Sequence, residues 1–264
     1  MPNENKSLAV VEPTLNLPIL VDPEMVLEVI RENLDGLGTL RFTKISIPSG
    51  GGLSFAVEDP DTGKEIPVSE IKGVIIHKLP NKLWYGKDFD ERSEGETGAP
   101  DCFSTDMVHG SGSEEYGIPA GQLCAECPKN QWGSSRKAGS RGKDCQDRML
   151  IHIIRDGELF PVWINLPPTC LGNFKDYVKR ITNKAIPLAG VATTISLESA
   201  KSDSGVKYSK TLFAKGAQLS REEYGRVREY VKTIEASLAQ VARAVAVETT
   251  DVAYDIVSDE EEAF

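Results

Sequence analysis

Near its middle the chain reads Gly121-Gln-Leu-Cys124-Ala-Glu-Cys127-Pro-Lys-Asn-Gln-Trp132-Gly-Ser134. Two cysteines at i and i+3 can face one ion from a tight turn, and structural zinc is held by four such ligands in a tetrahedron. Cys102 precedes the pair and Cys145 follows it. The spacing therefore predicts a closed structural zinc (Zn²⁺) site formed by Cys102, Cys124, Cys127 and Cys145.

Other uses of these cysteines are open at this point. The thiols could be reduced and buried, or form a redox pair. His109 could replace Cys102, because imidazole also binds zinc. A deaminase-type catalytic zinc is disfavoured, since the downstream Pro-Cys-x-x-Cys is missing and four thiolates leave no position for water. The fifth cysteine, Cys170, is far from the others in sequence and is predicted to be a core residue.

The segment that follows the Cys-x-x-Cys pair combines positive charge with an aromatic ring. Six Lys or Arg residues lie between positions 129 and 148, against two Asp. Cations neutralise phosphates, while an exposed indole stacks on bases. The predicted nucleic-acid contacts are Lys129, Trp132, Arg136, Lys137, Arg141, Lys143 and Arg148, with a second group at Lys82, Trp84 and Tyr85. Core packing is the alternative for Trp132 and Trp84, and Trp163, in an apolar strand, is assigned to the core.

The net charge of −10 is unevenly distributed along the chain. Residues 248–264 hold seven carboxylates, and residues 88–115 hold nine against one Arg, so the rest of the chain has a net charge of +5. A part of the chain with this net positive charge can bind a polyanion. The final run resembles a docking peptide, because a partner's apolar pocket can enclose an aromatic ring while basic residues bind the carboxylates. Its residues are Asp259, Glu260, Glu261, Glu262 and Phe264. A solvated, disordered tail is the alternative.

Several protein classes are disfavoured by the sequence. No apolar run reaches the roughly 18 residues of a membrane span, and the N-terminus does not read as a signal peptide. We therefore expect a cytoplasmic protein without a membrane partner. The sequence contains no Walker A loop, dinucleotide fingerprint or acid cluster suited to two-metal chemistry. We do not expect an enzyme.

Hydrophobic periodicity predicts an α+β domain. Strands are expected at 40–57 (a hairpin around 48–52), 72–84, 149–154, 159–166, 191–197 and 206–213. Helices are expected at 23–33, after Thr169, and after the capping box Ser220 with Glu223. The apolar stripe of the last helix predicts a core face, with a dimer seam as the alternative.

The predicted organisation has three parts. Residues 1–21 form a flexible segment, residues 22–247 one domain with a zinc insertion at about 86–148, and residues 248–264 a disordered acidic tail. A small five-stranded oligonucleotide-binding barrel (OB-fold) with flanking helices fits the domain.

These motifs resemble those of the zinc-containing single-stranded DNA-binding proteins of phages and mobile elements. The similarity rests on Pro100-Asp-Cys102 with Ser104 and Asp106, on the stretch 121–134, and on Gly142-Lys-Asp-Cys145, within roughly residues 40–216. It implies an OB-fold with an inserted zinc element, and Cys102 rather than His109 as ligand. The acidic tail is similar to those of replicative single-strand binders, which recruit replication proteins and compete with DNA for the basic groove.

The sequence thus predicts a non-enzymatic protein that coats single-stranded DNA in replication or recombination and recruits partner proteins through its tail. A homo-oligomer is compatible with this prediction. One alternative is a zinc-ribbon adaptor that binds only protein in a replisome or transcription complex. The other is a recombination mediator or annealing protein.

Overall fold

The computed structural model describes residues 15–34, 42–59, 62–87, 99–136, 141–202 and 205–244. The helices are α1 (Pro18–Val21), α2 (Pro23–Leu34), α3 (Pro168–Thr182) and α4 (Arg221–Ala244). The strands are β1 (Phe55–Glu58), β2 (Glu65–Val68), β3 (Glu70–Trp84), β4 (Cys102–Ser104), β5 (Gln146–Arg155), β6 (Val162–Leu166), β7 (Val191–Lys201) and β8 (Lys207–Gln218). None of the described helices is long and apolar enough to cross a membrane.

The main sheet is built around the long strand β3. Its strands lie in the order β6-β5-β3-β7-β8, and β4 pairs with the C-terminal end of β3. The named pairs are antiparallel. The β-branched run in β3 explains its central place, since residues 74–76 are buried. The predicted α+β class is confirmed.

Two hydrophobic cores cover the two faces of this sheet. On one face, α3 contributes Phe174, Tyr177 and Ile181 to a cluster with apolar residues of β3, β5, β6, β7 and β8. On the other face, α4 contributes Val227 and Ile234. The apolar stripe of α4 is therefore a core face over the residues described, and the capping box forms as predicted.

Helix α3 also provides hydrogen-bond partners for backbone groups on the outer edge of β8. Asn173 Nδ2 donates to the carbonyl of Thr211 at 2.8 Å. The Thr211 N–H donates to Cys170 Sγ at 3.4 Å, and Cys170 is fully buried. Unpaired strand edges promote aggregation, so α3 protects this edge of β8 from pairing with another chain. The prediction that Cys170 is a core residue is confirmed.

The segment 42–52 lies against both outer strands. Ile45 N donates to Trp163 O in β6 at 2.9 Å, and Ser209 Oγ in β8 donates to Gly52 O at 2.9 Å. Trp163 is buried as predicted, and its Nε1 donates to Phe42 O at 2.8 Å. In the part of the chain that the structure describes, strand pairing does not close the sheet into a barrel.

Two predictions about the N-terminal part are wrong. Residues 40–57 do not form a hairpin on themselves, because β1 pairs with β2 across a turn in which Gly63 N donates to Asp59 O at 2.8 Å. The flexible segment does not extend to residue 21, because Leu17 and Ile19 are buried in the core beside α4. Residues 1–14 and the acidic tail 248–264 lie outside the described residues.

A buried histidine makes the stability of the fold sensitive to acid. His152 is fully buried, its Nδ1 lies 3.4 Å from His77 Nδ1, and burial lowers its pKa to about 3. The unfolded chain takes up a proton near pH 6.5 and the folded chain does not, so stability falls as pH drops below about 6.5.

Between pH 7 and pH 5 we expect a loss of about 2 kcal/mol in the free energy of unfolding, measured with urea. His152→Leu should lose most of this dependence, with a remainder from His77, whose pKa is also lowered by burial. An unchanged pH dependence in that variant would show that the pKa of His152 is the same in the folded and the unfolded chain.

Candidate functional site

The four cysteines of the predicted zinc site line one small cavity. They come from three separate segments: Cys102 begins β4, Cys124 and Cys127 lie in a turn, and Cys145 immediately precedes β5. The space between them is about 20 Å³, which is room for one particle the size of a water molecule. Chain segments far apart in sequence thus bring four thiols together.

Backbone hydrogen bonds fix these segments relative to one another. Cys124 N donates to Val108 O at 2.8 Å, and Gly110 N donates to Gln122 O at 2.9 Å. Cys145 N donates to Lys129 O at 2.8 Å. We call residues 99–136 and 141–145 the cysteine element.

Most residues of the stretch after Cys127 have a structural role. Pro128 begins a short 3-10 helix that ends at Asn130. Asn130 Nδ2 donates to Cys124 O at 2.6 Å, and Gln131 Nε2 donates to Ala125 O at 2.7 Å. Gly133 has a φ of +86°, and Ser134 Oγ donates to Lys129 O at 2.9 Å. Hydrogen bonds therefore hold the stretch 128–134 rigidly against the Cys-x-x-Cys turn.

The chemistry of the cavity fits a zinc ion. Burial raises the pKa of the Cys145 thiol to about 12 and also raises that of Cys124, so a binding metal would displace protons. Lys82 and Lys129 also line the cavity, and their charges would offset the −2 of a zinc with four thiolates. Among the described residues, no group of three or more Cys, His, Asp and Glu side chains is already arranged to hold a metal ion.

His109 is bound elsewhere. Its Nδ1 lies 2.8 Å from Asp106 Oδ2, and its backbone N–H is the first of several donors that hold the pKa of Asp106 far below the usual range. The neighbouring Gly110 does line the cavity: a Cβ there would lie 3.1 Å from Cys102 Sγ. Of the two candidates for the fourth ligand, it is Cys102 that lies with the other thiols.

The second predicted nucleic-acid group, at residues 82–85, is mostly buried. Lys82 is 5% exposed, and its ammonium bonds to Asn130 and pairs with Asp147. Trp84 is 2% exposed, and its Nε1 donates to Asp144 Oδ2 at 2.7 Å. Assigning Lys82 to phosphate and Trp84 to base stacking is therefore wrong. Tyr85 is half-buried, and its role stays a prediction.

Several cations of the first group bind within the protein. Arg136 donates from Nε to both Asp144 oxygens at 2.9 and 3.0 Å, and from Nη2 to Tyr85 O at 2.6 Å. Lys143 pairs with Asp147 at 3.3 Å, and the Lys129 ammonium lies 5.1 Å from the centre of the Trp84 ring. These contacts tie the cysteine element to the end of β3 and to β5, and a role of the three cations as phosphate contacts stays a prediction.

The remaining cations differ in exposure. Arg141 is exposed. Arg148 is half-buried, desolvation lowers its pKa, and its Nη2 donates to Gln146 Oε1 at 2.8 Å. Lys137 lies outside the described residues.

Trp132 is the exception within the rigid stretch. Its side chain is 80% exposed, although it lies between residues that are fixed by hydrogen bonds. The Lys143 ammonium lies 5.6 Å from the centre of its ring. The cysteine element thus presents an indole to solvent, with the Asp147-paired ammonium of Lys143 beside it.

A groove that the sequence did not reveal lies between segment 44–48, β6 and β8. Its volume is about 340 Å³, and its lining includes Lys44, Arg148, Asn165 and Tyr208. The Lys44 ammonium lies 5.5 Å from the centre of the Trp163 ring. We call it the Lys44 groove. Its residues come from four segments that only the fold brings together, and Arg148 is the lining residue that the sequence analysis predicts to contact nucleic acid.

Comparisons of this chain with protein-family models, curated proteins and solved structures found no match. Its function is therefore inferred from its own residues and their geometry.

Proposed function

We propose that this protein binds single-stranded DNA through a rigid element organised by a structural zinc ion. The observation on which the proposal depends most is Trp132, 80% exposed beside the charge of Lys143. A large aromatic side chain in water gains nothing for folding, whereas a fixed indole can stack on a base without selecting its identity.

The position of the cysteine element in the fold supports this function. In the main sheet, β3 pairs with β5 on one side and β7 on the other, with β6 and β8 outside them. The five strands of an OB-fold lie in this order, with β3 as the first strand. The cysteine element then occupies the loop between the first and second strands. That loop is one of two with which OB-folds bind oligonucleotides.

The Lys44 groove supports the same function. It lies on β5 and β6, the second and third strands of that order, whose face binds nucleic acid in OB-folds. Lys44 and Arg148 provide positive charge, and Tyr208 provides an aromatic ring. A strand bound there would be held by its backbone phosphates and by stacking, the combination that suits binding without strict sequence preference.

In this proposal Cys102, Cys124, Cys127 and Cys145 hold the zinc. When bound, the metal supplies a structural cross-link between β4, the Cys-x-x-Cys turn and the start of β5. The acidic tail, including residues 259–264, recruits replication or recombination proteins. The tail belongs to the proposal through its sequence, since it lies outside the described residues.

Salt-dependent binding tests the proposal. The affinity for a dT oligonucleotide, measured by fluorescence anisotropy between about 50 and 200 mM salt, should fall with a slope of about −0.7 in log K against log salt for each phosphate contacted. A duplex of the same length should bind more weakly. Equal or tighter binding to the duplex, or an affinity independent of salt, would contradict the proposal, and no binding at all is what the protein-only adaptor predicts.

A further inference from the structure

A second groove lies between α3 and the pair β3–β5. Its volume is about 320 Å³, and its floor is apolar. The lining residues are Lys78, Met149, Phe174, Lys175, Val178, Lys179, Thr182 and Asn183. We call it the lysine groove.

The charge of the lysine groove is unbalanced. Lys175 and Lys179 are four residues apart on α3, so their ammonium groups lie on one side of the helix, and Lys78 faces them from β3. All three are exposed, and no lining residue is acidic. Within the described residues, none of the three has a salt-bridge partner. Like charges at this spacing destabilise a helix slightly, and a bound anion would remove that cost.

The lysine groove and the Lys44 groove lie on opposite faces of the sheet and reach neighbouring residues of β5. Arg148 lines the Lys44 groove and its neighbour Met149 lines the lysine groove. Successive residues of a strand face opposite sides of the sheet. Strand β6 ends at Leu166, opposite Met149, so residues 146–148 of β5 have no β6 partner. An extended polymer can therefore pass from one groove to the other around this edge.

The lysine groove also lies on the side of β3 that faces the cysteine element. Lys78 and Lys82 are four residues apart, on the same face of β3, about 13 Å along the strand. Lys82 lines the cysteine cavity, and Lys78 lines the lysine groove. Exposed Lys78 thus lies on the same face of β3 as the cysteine cavity, whereas the charge of Lys82 is buried and paired with Asp147.

We propose that the lysine groove binds backbone phosphates of the same single strand that contacts Trp132 and the Lys44 groove. This inference rests on the proposed function. Phosphates fit better than an acidic peptide because the two grooves reach neighbouring residues of β5, and lysine is a compact point charge suited to phosphate. The strand would turn around the edge of β5 and end against α3.

The test is a double variant, Lys175→Gln with Lys179→Gln, compared with a matched double variant, Lys64→Gln with Lys232→Gln. All four lysines are exposed, and both pairs remove two charges. Binding of a dT oligonucleotide is measured as a function of salt. The groove variant should reduce the magnitude of the salt slope by about 1.4, two phosphates at about 0.7 each, and the control should keep the wild-type slope.

The possible outcomes separate the two proposals. If wild type binds the oligonucleotide and the groove variant keeps the wild-type slope, the lysine groove is not part of the path, and the proposed function stands. If that variant instead loses affinity for a peptide of sequence 258–264, the groove binds acidic peptides and our inference is overturned. If wild type does not bind single strands, the proposed function itself fails. Unchanged melting temperatures in both variants will show that the fold is intact.

Discussion

Cys145→Ser should abolish stoichiometric zinc binding and weaken single-strand binding more than tenfold. Cys145 is one of four thiols on a cavity sized for one particle, and its backbone N–H is bonded to Lys129 O. Removing one of four ligands opens the coordination shell, and structural zinc sites contribute folding free energy directly. With the metal lost, the cysteine element should no longer hold Trp132 in place.

The measurements are zinc per chain by elemental analysis and affinity for a dT oligonucleotide. We expect about one zinc per wild-type chain and close to none in the variant. Cys170→Ala is the matched control, because Cys170 is buried between α3 and β8 and not on the cavity. It should lower the free energy of unfolding by about 1 to 2 kcal/mol and leave the zinc content unchanged. Full zinc content in Cys145→Ser would rule out the four-cysteine site.

Trp132→Ala should weaken single-strand binding by roughly 5- to 150-fold, which corresponds to about 1 to 3 kcal/mol for one stacked base. Stability should change by less than about 0.5 kcal/mol, because the side chain is 80% exposed. Binding is measured by anisotropy with a labelled oligonucleotide, and stability by urea unfolding.

Trp84→Ala is the control for the stability part of this prediction. Trp84 is buried, donates to Asp144, and packs edge-on against Tyr116 at a centroid distance of 5.1 Å. Its removal should cost about 3 to 5 kcal/mol of stability. Wild-type affinity in Trp132→Ala would show that the exposed indole does not contact the strand.

The parts of the fold with a strong local pattern could be predicted from sequence. The β-branched run of β3 and the capping box of α4 are examples, since Ser220 N donates to Glu223 Oε2 at 2.6 Å and Glu223 N donates to Ser220 Oγ at 3.2 Å. The partner of β1 could not be predicted, because both the glycine-rich stretch 48–52 and the Asp59–Gly63 turn follow an apolar segment. Helix α1 has four residues, too few to show a period, and only its packing beside α4 reveals that it belongs to the core.

Part of the candidate site could likewise be predicted from sequence, and part could not. The convergence of the cysteines follows from the short spacing of the Cys-x-x-Cys pair and the flanking thiols. Composition does not show which Lys and Arg side chains form ion pairs within the protein, because that depends on which acids the fold places beside them. Asp144 pairs with Arg136, and Asp147 pairs with Lys82 and Lys143. Those two acids, inside an otherwise basic stretch, were the available sign that part of its charge is used internally.

Tryptophan fluorescence during titration with a dT oligonucleotide tests most directly whether a zinc-held element presents Trp132 to single-stranded DNA. Trp84 and Trp163 are buried, so quenching by the oligonucleotide reports mainly on Trp132. We expect strong, saturable quenching in the zinc-loaded protein and its loss after the metal is removed by a chelator or in Trp132→Ala. Quenching that is absent from the zinc-loaded protein, or that persists without the metal and without Trp132, would contradict the proposal.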